Sequence, residues 1–135
     1  MSIKSDLRTL LKAQTAITGT LADVAGIYVL NAPQDAKLPH IVLTTTSTDY
    51  MAALDGTPTL KFEDLDIDCK AQSQAKAEYT LDAVAEFMDD YTGAAGDSTI
   101  RASVIQGQGD DYVPDGEGKD TGTYFETLEL TLQYE

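Results

Sequence analysis

Carboxylates are the most abundant reactive groups in this chain, and the question is whether any of them stands where it could do chemistry. His40 is the single histidine and Cys69 the single cysteine. His40 follows Pro39 at the entrance to a strand-like run with no nucleophile close in sequence, which reads as a surface or hinge histidine rather than half of a catalytic dyad. Cys69 alternates with Leu65 and Ile67, so it reads as a small core residue. Acidic neighbours raise the pKa of a thiol and keep it unreactive. Between Asp110 and Asp120 the carboxylates invite a calcium reading, but taking Asp115 as the first ligand puts Lys119 fifth, where an oxygen is needed. A solvated loop is the simpler reading. Gly116, Gly118 and Gly122 lack the lysine-serine/threonine pair and following helix of a phosphate loop. Asp64, Asp66 and Asp68 alternate along one segment. Paired carboxylates could serve glycoside chemistry, yet such a row is more simply a hydrated face. No catalytic or metal-binding constellation emerges, and no cofactor is expected.

The elements that position these groups centre on Thr59 to Tyr91. Leu60 and Phe62 share one parity and Leu65, Ile67 and Cys69 the other, which predicts a strand with a β-bulge at Glu63-Asp64 that keeps both sets on one buried face. Asp64 or its neighbour, Asp66 and Asp68 then form an acidic face that meets water or a cation-bearing partner. From Ser73 the period lengthens, with Ala77, Leu81, Val84, Ala85, Met88 and Tyr91 on one helical stripe. Such a helix folds back over the sheet, and Gly93 and Gly96 are expected to end it. Asp89 and Asp90 in its last turn oppose the helix dipole, a conflict the sequence does not resolve.

Upstream, Ser5 to about Ile17 predicts a helix with Ser5 as N-cap and Leu7, Leu10, Leu11 and Ile17 along its stripe. Gly26 to Leu30 and Ile41 to Thr48 predict two strands, the second approached in extended form through Leu38-Pro39. Tyr50 to Pro58 is apolar for a connection, with Met51, Ala52, Ala53 and Leu54 before Asp55-Gly56. It reads either as a partly packed hairpin loop or as a loop that inserts between subunits or onto a partner ring. Thr99 to Gln106 predicts a fourth strand, Pro114 to Gly122 a polar loop, and Thr123 to Tyr134 a closing strand. The result is one α+β domain over residues 1–135, a mainly antiparallel or mixed sheet of about five strands flanked by two helices.

Composition narrows the function. The 135 residues suit a single domain with its own core. Nine basic against 23 acidic residues leave a formal charge of −14, which excludes independent binding to a nucleic-acid backbone, since that affinity comes from cations. No apolar run spans a bilayer, and Met1 to Ser5 lacks the basic-then-apolar start of a secretion signal, so folding in a cytoplasm is expected.

The leading helix with Leu10-Leu11, then Gly26-Ile27-Tyr28, Ala32-Pro33 and Leu38-Pro39-His40-Ile41-Val42-Leu43, resembles the start of the tail-completion, or tail-terminator, proteins of long-tailed bacteriophages. Asp66-Ile67-Asp68-Cys69-Lys70-Ala71, the following helix to Tyr91 and two late strands are similar to that family's second half. Two departures stand out: Cys69-Lys70 where the family often has a bulky aromatic, and a late loop rich in Asp and Gly. The resemblance implies a structural virion protein rather than an enzyme. It implies a homohexameric ring in the tail or neck that caps the tail tube, stops its growth and joins it to the head-completion (stopper) or connector protein. DNA would pass through without specific binding, and no membrane is involved. Assembly would take place in the host cytoplasm. On this reading Asp64, Asp66 and Asp68 are candidates for the ring lumen, and Tyr50, Met51 and Leu54 for contact with a neighbouring subunit or the tube. A different class of function is an acidic DNA mimic that blocks a nucleic-acid-binding partner. A third is a carbohydrate-active enzyme, against which the lack of tryptophan for sugar stacking counts.

Overall fold

The structure is a computed structural model that describes residues 3–22, 26–33, 36–51, 60–114 and 122–135. Helix α1 (Ile3–Lys12) and the short α2 (Thr15–Thr18) lead into β1 (Ile27–Val29), β2 (His40–Met51) and β3 (Leu60–Ala71). Then come α3 (Gln74–Met88), β4 (Gly93–Ala95), β5 (Ser98–Pro114) and β6 (Gly122–Tyr134). The strands form one sheet in the order β1-β2-β3-β6-β5-β4, antiparallel except for the parallel pair β1/β2. The mixed α+β class holds, with six strands among the described residues rather than about five because the β4 hairpin strand is added.

Three local corrections have physical causes. The predicted first helix is two: Gln14 is extended (φ −95°, ψ 106°) between α1 and α2, and Ser5, the expected N-cap, lies inside α1. Ile3, Leu7 and Leu11 form its buried stripe at four-residue spacing, which extends the helix upstream of Ser5. Gly93 and Gly96 do not end α3. Ser73 caps its start, accepting from the Lys76 amide at 3.3 Å, and Asp90 ends it in the left-handed conformation at φ 57°. Aspartate tolerates that conformation better than most residues. Asp89 and Asp90 thus lie at and beyond the C-cap, and the Asp90 amide donates to the Ser103 carbonyl at 3.2 Å. The two glycines instead shape the β4–β5 hairpin, where Gly96 has φ 55°.

The third correction concerns the bulge. β3 pairs with β6 without a shift from Lys61 to Ala71, so no bulge occurs at Glu63-Asp64. The extra residue is Thr46 on β2, where the register jumps between Thr45 and Ser47. The register of β5 shifts twice, near its start between Ile100 and Ala102 and again between Ile105 and Gly107. Thr45, Leu65, Leu130 and Ile105 are successive partners across β2, β3, β6 and β5. The bulges at Thr46 and Gln106 therefore flank the central strand pair at one level, where they bend the sheet and increase its twist.

Helices α1 and α3 lie against one face of the sheet, and α2 packs on both of them. Leu65, Ile67, Cys69 and Ala71 of β3 and Leu128, Leu130 and Leu132 of β6 are buried there with Ala77, Leu81, Val84 and Met88 of α3. Because β3 keeps one parity, Glu63 also points to this side, and it is 6% exposed. Three hydroxyls donate to its carboxylate, from Thr45 (2.9 Å), Thr48 (3.1 Å) and Tyr134 (3.2 Å). A buried carboxylate is tolerated when its oxygens are supplied in this way.

Candidate functional site

The helix-free face of the central strands carries the acidic row. Even-numbered residues of β3 project to it, and the β6 register sets Asp64 against Thr131, Asp66 against Glu129 and Asp68 against Thr127. Phe62, expected on the core face, shares this parity with the aspartates, because the bulge that would have turned it inward is on β2. The three predicted residues are brought together, and Glu129 joins them. Leu128 and Leu130 of β6 are buried, so Glu129 between them faces away from the core, and the strand pairing sets it directly opposite Asp66.

The four carboxylates are held differently. Asp64 accepts from the Thr131 hydroxyl at 2.6 Å and the Ser47 hydroxyl at 2.8 Å, and these two bonds lower its pKa by favouring the charged form. Asp68 accepts from the Thr127 hydroxyl at 2.6 Å. Asp66 is pushed the other way, first by partial burial and then by the charges of Asp68 and Glu129. Like charges on facing strands repel, so the ladder carries electrostatic stress at its centre. Thr46, Asp64, Asp66, Gln106, Glu129 and Thr131 line a shallow open concavity of about 430 Å³ between the two bulges. Among the described residues, no group of three or more His, Cys, Asp or Glu is arranged to hold a metal ion. Lys70 closes one end of the row, its ammonium 5.3 Å from the centre of the Phe125 ring.

Of the loop candidates, Tyr50 and Met51 are the last residues of β2 rather than loop residues, paired with Lys61 and Leu60. Leu54 lies outside the described residues, as does the acidic loop from Asp115 to Asp120. Glu126, at the place where a calcium loop beginning at Asp115 would put its bidentate glutamate, is buried in β6. The amides of Gln74 (2.8 Å) and Gln108 (3.0 Å) occupy its oxygens.

Cys69 is fully buried, and burial above all pushes its thiol up to about 12, which leaves no nucleophilic thiolate near neutrality. His40 is a correction: it is 5% exposed rather than a surface residue. Its Nδ1 lies 3.3 Å from the Lys37 carbonyl, its ring meets Tyr28 edge-on at 5.7 Å, and Nε2 is buried without a hydrogen-bond partner among the described residues. Burial lowers its pKa below 6.5, the Lys37 carbonyl partly opposes this, and Lys70 adds to the lowering. A base whose folded pKa is lowered contributes full stability above its ordinary value and loses it as pH falls through the lowered one. Wild type should therefore lose melting temperature below about pH 6.5, and its advantage over His40→Asn should narrow over the same range. An advantage that stays constant to pH 5 would show that the histidine does not titrate there.

The model of the tail completion protein gp17 family matches residues 5–128, nearly the whole chain. The chain belongs to the tail completion protein family. It is accordingly a structural, virion-associated protein of the phage tail, from a family that is not one of enzymes. The fold is similar to that of a chain in the solved structure titled "Virion of native gene transfer agent (GTA) particle". The two superpose with a TM-score of 0.61 and 13% identity, over 98% of this chain and 95% of that chain. At that identity the likeness concerns the fold. No curated protein sequence matches.

Proposed function

We propose that the chain is a tail terminator: six copies form a ring on the end of the tail tube, stop its growth and connect it to the head-completion protein. The acidic helix-free face turns to the central channel. What carries this reading is the separation of the two sheet faces in a tail completion protein. One is sealed by helices and the other holds Asp64, Asp66, Asp68 and Glu129 in an open ladder. A lining of carboxylates repels the phosphate backbone, so DNA slides through without adhering. With −14 on each copy, closing the ring requires counter-ions, and assembly should strengthen with salt or millimolar magnesium. Met51 and Leu54 contact the neighbouring subunit or the tube. Before assembly the subunits reside in the host cytoplasm.

The test is assembly of tail tubes with and without the protein, with native mass measured over a concentration series in the presence and absence of magnesium. Tubes of uniform length bearing a six-fold cap are expected, and the Met51→Ser/Leu54→Ser variant should cap fewer of them. Tubes that grow to the same lengths with the protein as without it would overturn the reading.

A further inference from the structure

Among the described residues, both edges of the sheet are covered over only part of their length. β2 has 12 residues, but β1 covers only Ile41, Val42 and Leu43. β5 has 17, but β4 covers only Ser98, Thr99 and Ile100, and the Asp90 amide takes the Ser103 carbonyl. Among the described residues, no strand pairs with the outer edge of β2 over 44–50 or of β5 over 104–110, two stretches of equal length.

The amides of these stretches that face outward can be assigned. Ile41 donates outward to the Gly26 carbonyl at 2.8 Å, so the odd-numbered amides of β2 face out before the bulge, and the extra residue at Thr46 passes that orientation to Thr48 and Tyr50. On β5, Ser103 faces out toward Asp90, and the extra residue at Gln106 passes the orientation from Ile105 to Gln108 and Asp110. Edges of this length are usually guarded by lysine or proline. Neither occurs in 44–50 or 104–110, and in a chain of net charge −14 the two stretches hold only Asp49 and Asp110 as charged residues. Each stretch does carry a bulge, but weakly charged edges free of lysine and proline in a strongly acidic protein are where two copies can approach with least repulsion.

We propose that the β2 edge of one copy pairs with the β5 edge of the next, so that the sheets of the ring join into one continuous layer with the acidic ladder on its inner side. The contact is head-to-tail, because each copy offers one edge of each kind, and such a contact closes into a ring when its rotation permits. This inference rests on the ring reading above and adds the backbone contact that would build it.

Thr48→Pro and Gln108→Pro each remove one outward amide while leaving the ladder to the inner strand intact. Thr48→Val and Gln108→Ala keep the amide and control for the side-chain bonds to Glu63 and Glu126. By native mass spectrometry and by counting capped tubes, each proline variant alone should lose assembled rings by about tenfold or more, while the controls keep them. Mixed in equal amounts, the two proline variants should form a one-to-one dimer, since one retains an intact β5 edge and the other an intact β2 edge. That dimer also shows that both are folded. Proline variants that form rings like wild type would overturn edge pairing and leave the ring reading standing. A mixture that stays monomeric would overturn it equally, and wild type that forms no ring, free or on tubes, would overturn both.

Discussion

Leu65→Ala is expected to lower the unfolding free energy by about 2–5 kcal/mol, read as a fall in the urea midpoint at unchanged slope. Leu65 is 1% exposed and stands in the middle of the sheet, between Thr45 of β2 and Leu130 of β6. Its side chain belongs to the cluster that holds α3 against the sheet. Removing it forfeits the transfer energy of the lost atoms and leaves a cavity. That cavity cannot collapse freely, because β3 is hydrogen-bonded on both sides. Since small domains are stable by only about 5–15 kcal/mol, the variant should be visibly less resistant to proteolysis. A loss below about 0.5 kcal/mol would mean that the site is not packed as described.

Gly96→Ala should be comparably severe for a substitution of one methyl group. Gly96 has φ 55°, a conformation that costs an L-residue about 1–2 kcal/mol. A Cβ there would also run into the carboxylate of Asp6. That carboxylate is buried at 2% exposure and has its own task. It accepts from the Ser98 hydroxyl at 2.6 Å and the Asp97 amide at 3.3 Å, tying α1 to the β4–β5 turn. Displacing it leaves those donors without their acceptor, at a further cost of about 1–3 kcal/mol. The expected total is about 2–5 kcal/mol, and Asp6→Asn should be milder because an amide oxygen can still accept. Equal stability of Gly96→Ala and wild type in urea would remove the proposed link between α1 and the hairpin.

Some features of the molecule follow from local patterns that the fold leaves intact. The period-two run from Leu65 to Cys69, the 3.6-residue stripe from Ala77 to Met88 and the alternation from Leu128 to Tyr134 each specify an element and its buried face without reference to the rest of the chain. Asp66 and Asp68 are legible as sharing a face for the same reason, whereas the bulge expected at Glu63-Asp64 left the side of Asp64 to be decided by the unshifted pairing with β6. The strand and helix patterns also carried the likeness to tail completion proteins, which the match over residues 5–128 establishes.

Other features required the tertiary structure. Thr44 to Thr48 is a run of hydroxyl side chains with no apolar parity of its own, so nothing local marks Thr46 as the extra residue, and the register is decided by the pairing with β3. The second half of β5, with Gln106-Gly107-Gln108-Gly109-Asp110-Asp111, has poor strand propensity and is extended because β6 hydrogen-bonds it. His40 and Glu63 look like solvent-facing residues in sequence, and only the positions of Lys37, Thr45, Thr48 and Tyr134 explain how they are buried. Periodicity determines which side of a strand meets the core. Which strand lies beside which, where Glu129 meets Asp66 and which edges remain open depend on contacts distant in the chain, which no short stretch of sequence contains.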